Sequence, residues 1–187
     1  MATTDGHLRL GPDCARLVVR TRREGLAARV GHDLTIEVTR WSAEVELPGG
    51  DPAGARITAR IGLDSLAVRE ASGGALPLTD ADRREIERNA RRTLVTDRHP
   101  DAAFESTRVT PTEDGGVIDG TLTLLGNPAP VRLTVTRVAP DRYRAVAPVV
   151  QSAYGIRPYS AFFGALRLRD EVTVELEFTV DASPPPG

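Results

Sequence analysis

The sequence predicts an all-β protein with one helix, its sheet antiparallel and curved towards a barrel. Three observations predict it. Apolar and polar residues alternate with period two in segment after segment, and successive strand side chains point to opposite faces, so each such segment has one dry face and one wet face. Parallel strands covered on both faces would instead read as unbroken apolar runs. The alternation slips phase once, within Leu34–Leu47, and a helical pattern occurs over a single stretch, Asp80 to about Val95.

Leu17 and Val19 begin the series. In the next segment Leu34, Ile36 and Val38 hold even positions, whereas Trp41, Ala43, Val45 and Leu47 hold odd ones. A strand that keeps one face buried needs an extra residue to do this, so a bulge or bend is expected near Thr39-Arg40, as suits a strongly curved sheet. Ile57, Ala59, Ile61 and Leu63 continue the pattern after a turn at Gly49-Gly50-Asp51-Pro52. For the helix, Thr79 is the expected cap, Asp80 and Asp82 sit in the first turn, and Arg91 and Arg92 near the end complement the macrodipole. Ile86, Ala90 and Leu94 give it a narrow apolar stripe, and His99-Pro100 stops it. Such a helix caps a barrel mouth or packs on the outside. Ile118, Gly120, Leu122 and Leu124 follow a turn at Glu113-Asp114-Gly115-Gly116; Val131, Leu133 and Val135 come next, then Tyr143, Ala145, Ala147 and Val149. Val172, Val174, Leu176, Phe178 and Val180 alternate with Glu171, Thr173, Glu175, Glu177 and Thr179 and close the series.

The 187 residues suit one domain, with no internal repeat, and 40% apolar against 27% charged residues is ordinary for a globular protein. A net charge of −2 gives no overall electrostatic case for nucleic acid or an anionic membrane. All 24 basic residues are Arg, and the absence of Lys excludes Schiff-base chemistry. Cys14 is the lone cysteine, so no internal disulfide and no multi-cysteine metal cluster can form; a buried, inert thiol is expected. The N-terminus lacks the basic and apolar regions of a secretory signal, and no stretch is apolar enough to span a bilayer as a helix, so a cytoplasmic location is expected.

His7, His32 and His99 form no metal-ligand spacing, and neither a phosphate loop nor a dinucleotide fingerprint is present, so no metal and no cofactor are expected. His32 beside Asp33 could pair an imidazole with a carboxylate, but no Ser lies in a Gly-x-Ser-x-Gly turn, and a structural histidine at a strand start is favoured. Arg83, Arg84, Arg88, Arg91 and Arg92 could meet an anionic head group; the interleaved Asp80, Asp82, Glu85 and Glu87 favour a solvated mixed-charge face. The aromatic distribution is more informative. With four Phe, three Tyr and one Trp in the chain, Tyr154, Tyr159, Phe162 and Phe163 fall within ten positions, in a stretch that Gly and Pro break up. It reads either as a plug completing the core or as the mouth of an apolar pocket.

Four stretches together resemble the YceI-like family, from about Arg16 to Phe178. They are Gly31-His32-Asp33-Leu34-Thr35-Ile36 leading to Trp41; His99-Pro100 followed by Phe104-Glu105-Ser106-Thr107; Asp119-Gly120-Thr121-Leu122-Thr123-Leu124-Leu125-Gly126 with Pro130-Val131-Arg132-Leu133; and Tyr154-Gly155-Ile156 with Asp170-Glu171-Val172. The resemblance implies an extended, lipocalin-like barrel of about eight antiparallel strands around a long polyisoprenoid or fatty-acid-like ligand, a size of barrel that can hold one small ligand.

The expected organisation is therefore a flexible N-terminus over 1–10, a barrel domain over 11–180 and a disordered Pro-rich tail over 181–187. The expected function is binding of an apolar long-chain ligand, as carrier or store and without catalysis. The candidate pocket residues are Trp41, Phe104, Tyr143, Tyr154, Tyr159, Phe162, Phe163 and Phe178. The expected partner is that apolar small molecule, with no nucleic acid and no integral membrane association; a homodimer is left open. A barrel with a packed, ligand-free core is the alternative, and an enzyme using His32 and Asp33 on an apolar substrate comes third.

Overall fold

The computed structural model describes residues 6–180. In chain order its elements are β1 (His7–Leu10), β2 (Ala15–Thr21), β3 (Arg23–Glu24), β4 (Asp33–Val38), β5 (Trp41–Glu46), β6 (Arg56–Gly62), β7 (Leu66–Ser72), α1 (Asp80–Thr93), β8 (Asp101–Thr112), β9 (Gly115–Leu124), β10 (Asn127–Ala139), β11 (Arg142–Val150), β12 (Ser160–Ala161), β13 (Leu166–Leu168) and β14 (Glu171–Thr179). Eleven of these strands form one sheet in the order β1-β5-β6-β8-β9-β10-β11-β14-β2-β4-β7, and β12-β13-β3 form a second, small sheet. Every pairing is antiparallel, as one-sided alternation requires. On β14, for example, Val174 and Leu176 lie opposite Ala147 and Ala145 of β11 and Val19 and Leu17 of β2, so inward residues meet inward residues across three strands.

The sheet curls because two of its strands bend. Val38 and Trp41 are both buried, but Thr39 and Arg40 between them are exposed, which is the phase change read from the sequence. β4 pairs with β2 and β7, whereas β5 pairs with β1 and β6, so this one bend carries the chain from one end of the sheet to the other. β6 and β7 repeat the device through the short turn Leu63–Ser65. The two bends are bound together: the Thr39 amide and hydroxyl donate to the Ser65 carbonyl at 3.1 and 2.9 Å, and the Gly62 amide donates to the Arg40 carbonyl at 2.8 Å. The Arg40 guanidinium pairs with Asp64 and, at 2.9 Å, with Asp101, which holds both carboxylates at the corner. Counting each bent pair as one strand leaves eight long strands and the short edge β1. That reconciles the expected eight with the eleven segments observed.

Strand β7 is one edge of the sheet, and an open edge presents unpaired amides and carbonyls. Helix α1 covers it. Glu87 accepts the Val68 amide at 3.0 Å, and Arg83 donates to the Val68 and Arg69 carbonyls at 3.3 and 3.2 Å. Arg91 reaches the Asp64 carbonyl at 3.2 Å, and Arg88 pairs with Glu85 within the helix. Arg83 and Arg91 thus fasten the helix to the sheet, while Arg88 and Arg92 bond within it, to Glu85 and Asn89. At the N-terminus the Thr79 hydroxyl accepts the Asp82 amide and Asp82 accepts the Thr79 amide, a reciprocal cap. These bonds to Thr79 also hold the Asp82 carboxyl below its ordinary value. The helix ends at Thr93, two residues before the expected Val95, which itself takes a left-handed conformation at φ 47°.

Of the segment 1–10 expected to be flexible, His7–Leu10 is strand β1, paired with Ala43–Glu46 of β5. The expected Pro-rich tail, 181–187, lies outside the described residues. Cys14 is half-buried against a core cluster that includes Leu8, Leu10, Leu17 and Ile36, its thiol donating to the Gly11 carbonyl. One residue of the expected wet face of β14 is dry: Glu175 is buried, bonded by Arg20 at 2.9 Å and Arg144 at 2.7 Å. The arginine stems cover the carboxylate while their heads stay partly solvated. Burial pushes the Glu175 carboxyl up, but the bonds from Arg144 and Arg20 more than offset it and hold it below its ordinary value.

Candidate functional site

The inward faces of the strands meet in two core clusters but leave space between them. Val131, Leu133 and Val135 on β10, Ile118 and Leu122 on β9, and Ile57 and Ile61 on β6 all point inward, yet each is only half-buried. No large side chain among the described residues falls below 2% exposure. The interior encloses a cavity of about 870 Å³, within the range of small-molecule pockets, and its wall is built from the alternating apolar sets of β2, β4, β5, β6, β8, β9, β10, β11 and β14. Ile86 and Ala90 of α1, with Leu94 just past its end, close one side.

Two buried polar atoms of residues on this wall, the Trp41 indole N–H and the Thr21 hydroxyl, have no partner among the described residues. Both lie behind the cavity surface, and a buried donor without an acceptor costs about 1–3 kcal/mol.

Of the residues the sequence singled out, Trp41, Phe104, Tyr143, Tyr159 and Phe178 line the cavity. Tyr143 and Phe178, directly opposite on β11 and β14, stack with ring centroids 5.6 Å apart. Phe104 lies over Gly120, where a Cβ would come within 2.4 Å of its ring; a side chain there would displace it. Tyr154, Phe162 and Phe163 are not on the wall. Tyr154 is buried with Ile156, Leu63, Leu124 and Val172 in a second core cluster, and that burial pushes its phenol up. Phe162 and Phe163 lie out in solvent. The aromatic stretch therefore divides, its first part packed as a plug and its last part projecting outward.

The small sheet forms a flap over this end of the cavity. Arg23 of β3, Leu166 and Leu168 of β13, and Tyr159 all lie on the cavity wall, as do Val30, Gly31 and His32 in the segment that follows β3. Val30 and Tyr159 line the cavity and are also about half exposed, which marks the rim where cavity meets solvent. His32 and Asp33 do not form a pair. His32 Nε2 bonds the Leu76 carbonyl at 2.9 Å, its ring seated where a Cβ on Gly74 would strike it, and Asp33 accepts the Arg23 amide at 2.8 Å. Among the described residues no group of three His, Cys, Asp or Glu is placed to hold a metal ion. No helix among them is long and apolar enough to cross a membrane.

The sequence could not have pointed to the flap's role in the rim, because Val30, Leu166 and Leu168 belong to short strands and turns without periodicity. The small, non-clashing Gly31 beside Leu166 was the one local signal.

Comparison with known proteins agrees with this architecture. The family model of the YceI-like domain matches residues 18–180. The crystal structure of Burkholderia cenocepacia BcnA is similar at a TM-score of 0.64 and 15% identity, over 89% of this chain and 96% of that one. The Campylobacter jejuni YceI protein is similar at 0.59 and 12% identity, over 80% of this chain and 85% of that one. At such identities these structures speak for the fold alone. No curated protein matches the chain.

Proposed function

The chain belongs to the YceI-like family, and from that premise we propose that it binds one long-chain apolar ligand, a polyisoprenoid or fatty-acid-like lipid, inside the barrel, as a carrier or store and without catalysis. The single observation that supports this most is the cavity of about 870 Å³, several of whose inward wall residues, Leu133 and Val135 among them, are only half-buried. A barrel packed solid would bury those side chains against each other, as close-packed interiors do. Burying about fifteen methylenes yields about 12 kcal/mol; an association cost of about 4 leaves about 8, or micromolar affinity. Trp41, Phe104, Tyr143, Tyr159 and Phe178 are the aromatic contacts in this reading. Separate partners for His32 and Asp33 weigh against an enzyme using that pair.

The test is titration of the purified chain with a fluorescent long-chain fatty acid, followed by competition with a polyprenol. Saturable binding at one site, displaced by the polyprenol, is expected. No uptake of the fluorescent lipid, in a chain whose circular dichroism shows the β fold, would reject the proposal.

A further inference from the structure

The flap over the cavity rim carries large apolar side chains that no other described residue covers. Leu26 and Phe163 are fully exposed, Phe162 is 65% exposed, and Val30 and Tyr159 are about half exposed. They are gathered at one place. The turn at Gly25–Ala27 is clasped to the turn after Phe163: the Ala27 amide donates to the Ala165 carbonyl at 2.9 Å, and a Cβ on Gly25 would strike that same carbonyl. Phe162 and Phe163 both hold left-handed backbone, at φ 50° and 54°, which is costly for aromatic residues. Such strain persists where the surrounding structure enforces it, and here it turns two adjacent rings outward instead of hiding one.

The charge of the same segments is as unusual as their apolarity. Residues 22–33 and 157–170 hold Arg22, Arg23, Arg29, Arg157, Arg167 and Arg169 against Glu24, Asp33 and Asp170, and Asp33 pairs with Arg23, in a chain whose net charge is −2. All of these arginines except Arg23 are exposed, and Glu24 is already engaged by Arg167 at 3.6 Å. Exposed aromatics in arginine-rich segments suit an interface of apolar acyl chains beneath anionic head groups, where each basic residue near the surface adds attraction and each buried ring adds apolar contact. A second copy of this chain would bring an equally cationic tip against this one.

We propose that the flap tip, Leu26, Phe162 and Phe163 with their surrounding arginines, docks on an anionic lipid surface and sets the cavity rim against it. Resting on the reading of the barrel as a lipid binder, this gives the apolar ligand a route between bilayer and cavity that avoids bulk water. The local positive patch would supply an attraction that the overall charge of −2 does not.

The experiment is cosedimentation of the full chain with vesicles of phosphatidylcholine containing phosphatidylglycerol, and with vesicles of phosphatidylcholine alone. The chain is expected to bind the anionic vesicles, more weakly as salt rises, and to leave the neutral ones largely unbound. Phe162→Ser with Phe163→Ser should weaken that binding by about tenfold. Arg29→Ser with Arg157→Ser, changes at exposed sites, should weaken it and reduce its salt dependence. Equal binding to both vesicle types, no binding, or variants that bind like the parent overturns the proposal. Sedimentation velocity showing a dimer that the double Phe variant dissociates also overturns it and assigns the tip to a second copy. A chain that takes up fluorescent fatty acid in vesicle-free solution but ignores vesicles defeats the docking alone. One that binds vesicles but never the fatty acid defeats the carrier reading alone.

Discussion

Tyr154 and Phe163 belong to one aromatic run, nine positions apart, yet Tyr154 is 2% exposed and Phe163 is fully exposed. The first sits on a four-residue turn, Gln151–Tyr154, that tucks between the ends of the strands and joins Ile156 in closing the barrel. The second sits on a turn propped outward by a three-stranded flap. Equal hydrophobicity therefore carries unequal meaning in one short stretch. A buried ring stabilises the fold; an exposed one, held in a strained conformation, does not. Between the two lies the rim, where Tyr159 is shared by cavity and solvent.

The contrast can be broken by matched substitutions. Tyr154→Ala should destabilise the protein by about 3–5 kcal/mol in a urea melt, the range for deleting a buried ring. Gly120→Ala should cost about 1–3 kcal/mol, because the new Cβ meets both the Phe104 ring and the Glu105 carbonyl, and the carbonyl cannot yield easily. On the outer face, Glu175→Gln should cost on the order of 1 kcal/mol at neutral pH, since both arginines stay partly solvated. Its pH dependence has a definite sign. The folded-state carboxyl lies below the ordinary 4.5, so its stabilisation is present above that value and is lost as pH falls through the folded one. The gap between parent and variant should close below pH 4.5 in paired melts. Phe162→Ser with Phe163→Ser should shift stability by no more than about 0.5 kcal/mol, as exposed positions do. A loss near that of Tyr154→Ala would mean that both ends of the run are core.

Much of the fold was legible because burial in a sheet writes a period of two. The slip between Val38 and Trp41 located the barrel corner, and Ile86, Ala90 and Leu94 identified the face that α1 turns to the cavity. Alternation cannot distinguish a hollow interior from a filled one, since Leu133 facing a void and Leu133 facing another side chain are the same letter. The pocket was therefore legible only through the family resemblance. Nor could the run Tyr154–Gly164 be apportioned, because the left-handed φ of Phe162 and Phe163 has no signature in those residue types. Glu175 reads as solvent-facing for a similar reason: Arg20 and Arg144 come from strands distant in sequence.

The central claim is that the space behind those alternating residues is open and takes an apolar chain. Its most direct test compares the parent with Leu133→Trp after each has been incubated with a membrane lipid extract, by mass spectrometry of the lipid that remains bound. Leu133 faces the cavity and is half-exposed to it, so the larger ring should fit with little loss of stability and occupy the ligand's space. The account predicts one apolar long-chain molecule per parent protein and much less in a folded variant. A parent that emerges with no bound lipid, together with a variant too overpacked to fold, would contradict it.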